Sequence, residues 1–216
     1  DELIHASAHE GARAGRAEVV LAAHNHADAV NDAIIAWRAR GGIGRAWIVV
    51  ESLYSMDGDF PDLRRVVKLK QSYDAWLMVD EAHSVGVLGK TGKGIAEHFD
   101  IDPNEVEMWM GTLSKTFSSC GGYIAGSKVL CDYLKVSAPG FVFSVGLSAA
   151  LAGAAIASAE LLEQEPERVE RLQKNGALFL KLAREAGLNT GPSAGYAVVP
   201  VIVGDSAGAA TLSTRL

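Results

Sequence analysis

Short apolar runs, each followed by a loop and an amphipathic helical stretch, recur along this chain and restrict it to an α/β architecture. Residues 18–23 (EVVLAA) read as a strand. Residues 27–40 read as a helix that stops at Gly41-Gly42, where glycine accepts left-handed geometry. Residues 46–50 (AWIVV) then read as a strand buried on both faces, as parallel strands are. The next helix covers residues 62–73, opened by Pro61, and residues 76–79 (WLMV) form a strand whose end carries Asp80. Residues 106–110 form another strand and lead into Thr112 and Lys115. Residues 123–125 follow with no room for a helical crossover, so an antiparallel neighbour is expected. The expected sheet is mostly parallel, flanked by helices, with one antiparallel strand.

The second half reads as more helical. Helices are expected at 128–136, 147–162 and 167–186, with a short β-like piece at 141–143 after Pro139-Gly140. Residues 197–203 (AVVPVIV) read as a strand that opens a smaller C-terminal α/β domain, Pro200 marking an edge or a bulge. The expected division is therefore 1–165 for a large domain and 166–216 for the start of a small one. The chain opens on Asp1 and stops within a helix-like run, residues 206–216, and so reads as a piece of a longer protein.

Composition narrows the partners. With 216 residues, 49% of them hydrophobic and 21% charged, the chain can bury a core and is not a disordered segment. Its net charge of −6 and lack of a dense Lys/Arg cluster argue against nucleic acid as a partner. Cys120 and Cys131 suit a reducing compartment better than a disulfide framework, so a cytoplasmic location is expected. Residues 138–159 carry no charge, yet Ala, Gly and Ser dominate them, which fits a close-packed buried or interface helix better than a membrane span.

Ligands of open α/β sheets sit outside the carboxyl ends of the strands, and three polar loops fall there. They are Ser55-Met56-Asp57-Gly58-Asp59, Asp80-Glu81-Ala82-His83 and Thr112-Leu113-Ser114-Lys115. Each alone is a weak signal, since a carboxylate after a buried strand is as often a helix cap or a metal ligand. Together they meet the requirement of pyridoxal 5′-phosphate (PLP), a lysine for the Schiff base and an acid beside the pyridine nitrogen. Asp80 is the candidate acid and Lys115 the candidate amine. His83 can meet the ring's phenolic oxygen or a substrate carbonyl, Ser55 the same edge, and Thr112 and Ser114 the phosphate.

The segments DELIHAS (1–7), ESLYSMDGD (51–59), VDEAHSVGVLGKTGKGIAEH (79–98), TLSKTFSSCGGY (112–123) and VVPVIVGD (198–205) resemble the α-oxoamine synthases, fold-type I PLP enzymes. The resemblance implies Lys115 as the Schiff-base lysine, Asp80 at the pyridine nitrogen, His83 with Ser55 at the phenolic oxygen, and Thr112 with Ser114 at the phosphate. His5 is implied on one ring face and Ala82 on the other. It also implies a homodimer and decarboxylative condensation of an amino acid with an acyl thioester, on CoA or a carrier protein, to give an α-amino ketone. Lys115 and His83 would serve as acid, base and charge stabiliser. An aminotransferase or another fold-type I enzyme acting on an amino acid is the alternative, because the Asp and Lys requirements are shared. Val145 departs from the family, standing where many relatives place a Thr that reaches the neighbouring subunit's phosphate.

Other motifs carry less. His24-Asn25-His26 flank a helix start with no third ligand evident in the spacing, so no metal site is expected. Glu97 and His98 suit a cap or an ion pair, and GKTGKG (89–94) lacks both the Rossmann and the P-loop spacing, reading instead as a turn beside the cofactor.

Overall fold

The computed structural model describes residue 15 and residues 17–216. Helix α1 (Ala27–Ala39) begins where the His26 ring accepts the Ala29 N–H at 3.2 Å. It ends where Gly41 turns left-handed at φ +85° and Gly42 N–H reaches back to Trp37 O at 3.0 Å. Strand β1 (Trp47–Glu51) follows, then helix α2 (Leu63–Ser72), capped by the Asp62 carboxylate accepting Arg65 N–H at 3.2 Å. Leu63, Val66, Val67 and Lys70 bury one stripe of α2, the spacing a 3.6-residue period requires. Strand β2 (Trp76–Asp80), helix α3 (Ile95–Phe99), strand β3 (Met108–Thr112) and strand β4 (Gly122–Gly126) complete the first half. Helices α4 (Lys128–Ser137), α5 (Pro139–Val142), α6 (Ala149–Gln164), α7 (Glu167–Glu185) and α8 (Ser206–Arg215) make up the second.

The sheet order is β1-β2-β3-β4, with β1, β2 and β3 parallel and β4 antiparallel to β3. The antiparallel neighbour and the mostly parallel sheet expected from the sequence are both present. Register pairs Glu51 with Asp80, Asp80 with Met110, and Thr112 with Gly122, which gathers the carboxyl ends of the parallel strands along one edge. Ile48, Leu77 and Val79 face the core, where Ile34 of α1, Leu63, Val66 and Val67 of α2, and Ile95 of α3 meet them. Full burial of a side chain such as Leu77 or Val79 contributes about 1.5–3 kcal/mol.

The structure corrects the sequence reading at five places. Residues 18–23 form no strand, because β1 ends the sheet on that side among the described residues, and Val20 and Leu21 are exposed. Strand β1 is buried on one face: Trp47 is 43% and Val49 51% exposed, since the helices packed on this strand meet its Ile48 side. Residues 141–143 are not β; Pro139 opens a helical turn in which Ala138 O accepts the N–H groups of Phe141 and Val142. Residues 197–203 form no strand either. They are pinned locally by Ser193 Oγ donating to Val198 O at 2.8 Å and Ile202 N–H donating to Asn189 O at 2.8 Å. Strand β3 also starts two residues later than expected, because a 3-10 turn occupies Pro103–Glu105 and Glu107 is engaged by Lys70 Nζ at 2.5 Å and Leu77 N–H at 2.8 Å. Among the described residues no helix is long and apolar enough to cross a membrane.

Candidate active site at the carboxyl edge of the sheet

Asp80 ends β2 and is 5% exposed. Its Oδ1 accepts Ala82 N–H at 2.8 Å, which turns the chain sharply out of the strand. Its carbonyl accepts Ser52 N–H at 2.8 Å and Ser52 Oγ at 2.6 Å, and Ser52 Oγ stands 2.7 Å from Ser84 Oγ. Glu81 N–H donates to Met110 O at 2.7 Å. The turn at 80–84 is thus held from both flanking strands, a rigid mount for Asp80, Ala82 and His83.

His83 is half-buried. Burial, and after it the positive charge of Lys115, pushes its imidazole down to about 4, so the ring is neutral at neutral pH. Lys115, one strand later in the chain, is thus near enough for its charge to act on His83. Lys115 itself is exposed in the β3–β4 connection. That connection is ordered by Leu113 N–H to Gly121 O at 2.9 Å, Ser119 N–H to Leu113 O at 2.8 Å and Ser118 N–H to Lys115 O at 3.1 Å. Thr116 Oγ donates to Val85 O at 2.6 Å, tying the residue after Lys115 to the turn after His83.

Thr112 and Ser114 come together, with Thr112 Oγ1 2.8 Å from Ser114 Oγ and accepting Ser114 N–H at 3.2 Å. Ser55 lies in the loop after β1. Its N–H donates to Glu51 Oε2 at 3.3 Å, while its Oγ is buried and has no hydrogen-bond partner among the described residues. Ala82 is buried in the turn. His5 lies outside the described residues.

Sequence reasoning passes over Glu81 and Tyr123. Glu81 is 6% exposed, and burial, with Asp80's charge adding, pushes its carboxyl up to about 8. Burial and then the charges of Glu81 and Asp80 push the Tyr123 phenol above its ordinary range. The adjacent acids Asp80-Glu81 at a strand end are the one sequence signal that points to either. At His24 the fold supplies what spacing hides. His24 Nε2 stands 3.1 Å from both Asp59 oxygens and 3.9 Å from Asp57 Oδ2, three groups that could hold a metal ion, whereas His26 caps α1. Asn25 Nδ2 donates to Asp59 Oδ2 at 2.8 Å and to Phe60 O at 2.9 Å, so this cluster already fastens the start of α1 to the 55–60 loop. Among the described residues Glu97 forms no ion pair; it accepts Thr91 N–H, Thr91 Oγ1 and Lys93 N–H and so braces the glycine loop.

The family described as aminotransferase class I and II matches residues 1–216. The chain belongs to that family. Within it, the chain is 38% identical over 216 residues to 8-amino-7-oxononanoate synthase of Petrotoga mobilis, covering 100% of this chain and 54% of that protein. It is 38% identical over 217 residues to serine palmitoyltransferase 3 of Homo sapiens, covering 94% of this chain and 39% of that one. Among solved structures, one of SPT with a PLP internal aldimine superposes with a TM-score of 0.83 at 26% identity, covering 94% of this chain and 50% of the other. The aminotransferase class I and II member described here therefore spans about half the length of the relatives it matches. These relatives bear out the resemblance read from its motifs, and the superposition bears out a fold-type I architecture.

Proposed function

We propose that this chain carries the cofactor site of a PLP-dependent enzyme that condenses an amino acid with an acyl thioester, releasing carbon dioxide and a thiol and leaving an α-amino ketone. The observation that carries the reading is the convergence at the strand ends of a buried carboxylate (Asp80), a neutral imidazole (His83) and the lysine whose charge acts on it (Lys115). The buried Ser55 hydroxyl, left without a hydrogen-bond partner among the described residues, supports the fit, because it retains bonding capacity for a polar ring substituent. PLP bound here would supply an electron sink for negative charge at the substrate's α-carbon.

The residues divide the remaining work. Lys115 would hold the cofactor through its amine and, once released, move a proton at the α-carbon. Asp80, rigid and buried, would keep the ring nitrogen's proton in place. His83, neutral, would donate to the phenolic oxygen or to the thioester carbonyl as charge develops there, with Ser55 on the same oxygen. Thr112 and Ser114 would bind phosphate through paired hydroxyls and backbone N–H groups. Ala82 would lie against one ring face and His5 against the other. Residues 1–165 would form the cofactor domain and 166–216 would lead into a smaller one. A homodimer in the cytoplasm is the proposed form, with the exposed Phe141, Phe143 and Val145 ahead of the small-residue helix α6 suited to close packing against a second copy.

The test is borohydride reduction of the protein with PLP, expressed from its full reading frame, followed by mass mapping. Label on Lys115 is expected, and label elsewhere or nowhere rejects the cofactor assignment. Carbon dioxide and free thiol released from an amino acid and an acyl thioester support the condensation; an α-keto acid product instead makes the enzyme an aminotransferase.

A further inference from the structure

The turn carrying Asp80, Ala82 and His83 contains a fourth side chain that the proposed chemistry leaves unused. Glu81 is fixed by its backbone between β2 and β3: its N–H donates to Met110 O, and its carbonyl accepts Ser84 N–H at 3.1 Å and Val85 N–H at 3.3 Å. Its side chain turns away from solvent toward the far end of the glycine loop, where Oε1 accepts Ile95 N–H at 3.1 Å. Gly94 passes so close, at φ +92°, that a Cβ built there would lie 2.3 Å from Glu81 Oε2. Backbone and carboxyl are in contact at this point, and a side chain at residue 94 would displace the carboxyl.

The glycine loop, residues 84–94, reaches the lysine as well. Val85 O accepts Thr116 Oγ1 next to Lys115, and Gly86 packs on the same threonine side chain. From outside, Gln173 Nε2 of α7 donates to Val87 O at 2.7 Å and Gly89 O at 2.9 Å, and Glu97 braces Thr91 and Lys93. The loop is a strap that begins at the Asp80 turn, touches the neighbour of Lys115, and returns to Glu81.

We propose that Glu81 is a positioning residue: its carboxyl clamps the returning end of the strap at Gly94–Ile95 to the turn after β2, and so sets where Asp80 and His83 stand relative to Lys115. The inference deepens the PLP reading above and rests on it. The titratable groups facing Glu81 are Asp80 on β2 and Tyr123 on β4. Burial keeps the clamp an uncharged acid at neutral pH, which makes glutamine its isostere.

Glu81→Gln and Glu81→Asp separate reach from charge in the protein expressed from its full reading frame. The readouts are the Kd for PLP, the pH midpoint of the visible absorbance, the borohydride label on Lys115, and the thermal midpoint without PLP. E81Q keeps the Kd within about twofold and leaves the absorbance midpoint in place. E81D, one methylene short of Ile95 N–H, weakens PLP about tenfold and displaces the midpoint, because Asp80 no longer stands squarely to the ring nitrogen. An absorbance midpoint unchanged in E81D, or displaced as far in E81Q, overturns the positioning role, and so does an equal fall in thermal midpoint with unaltered absorbance. Wild-type protein without label on Lys115 overturns the cofactor reading and this inference together; labelled wild type with an unresponsive E81D overturns this inference alone.

Discussion

His83 is the residue through which pH should act most visibly on this chain. Its folded value of about 4 lies below the ordinary 6.5, so between those values the unfolded chain binds the extra proton. Its contribution to stability is complete above about pH 6.5 and is lost as pH falls toward 4. His98, also pushed down by burial and by Arg64, acts in the same direction. Glu81 runs the other way: its folded value of about 8 exceeds 4.5, so its contribution shrinks as pH rises between the two. Urea titrations from pH 4 to 6.5 are expected to show a shallower loss of stability for His83→Gln than for wild type, and an identical slope would contradict the burial of the ring. At the reaction itself, Lys115→Ala is expected to abolish the borohydride label. Asp80→Asn is expected to keep weak PLP binding while turnover falls at least about 100-fold. Normal turnover in D80N would remove Asp80 from the ring nitrogen.

Among elements, those that read clearly in the sequence are those whose partners lie within the chain. β1 to β4 are each a run of apolar or small residues that finds a ladder beside it, and α2 shows its apolar stripe openly, whereas its Asp62 cap emerges only in the structure. Residues 18–23 and 197–203 have equal β character, yet no ladder forms for them among the described residues, because pairing is decided by neighbours rather than by propensity. The candidate site follows the same logic. Asp80, Thr112 and Lys115 stand out as candidates in the sequence because strand ends locate them, while Glu81 does not, since burial and a bond to a backbone N–H 14 residues away leave no trace in spacing. The glycine loop behaves as one element and can be loosened at a single point. Thr116→Val, which deletes the bond to Val85 O, is expected to cost about 1 kcal/mol and to raise amide hydrogen exchange at Gly86 and Gly94, whose N–H groups close the loop on Gly92 O and Leu88 O. Unchanged exchange there would show that the strap is held without the threonine.

For the whole molecule, the load rests on one packed face of the sheet. Leu77→Ala, at a fully buried position in the centre of that face, is expected to cost about 2–5 kcal/mol by denaturant melt, enough to unfold a marginal domain. The opposite face bears Trp47, Val49 and Trp76 in partial exposure, with the two indoles edge to face at 4.9 Å. Sedimentation is expected to give a dimer whose dissociation is promoted by Val145→Glu, a substitution at a 95% exposed side chain that a monomer would tolerate silently.

The two bonds from Gln173 carry a consequence for how the protein comes into being. They join α7 to carbonyls 84 and 86 residues earlier in the chain. At a synthesis rate of about 5–20 residues per second, roughly 4–17 s separate the emergence of the strap from that of the helix that fastens it. During that interval the nascent sheet can assemble while the Asp80 turn and the Lys115 connection still lack their final bracing, so the proposed cofactor site is completed late in the life of each new chain.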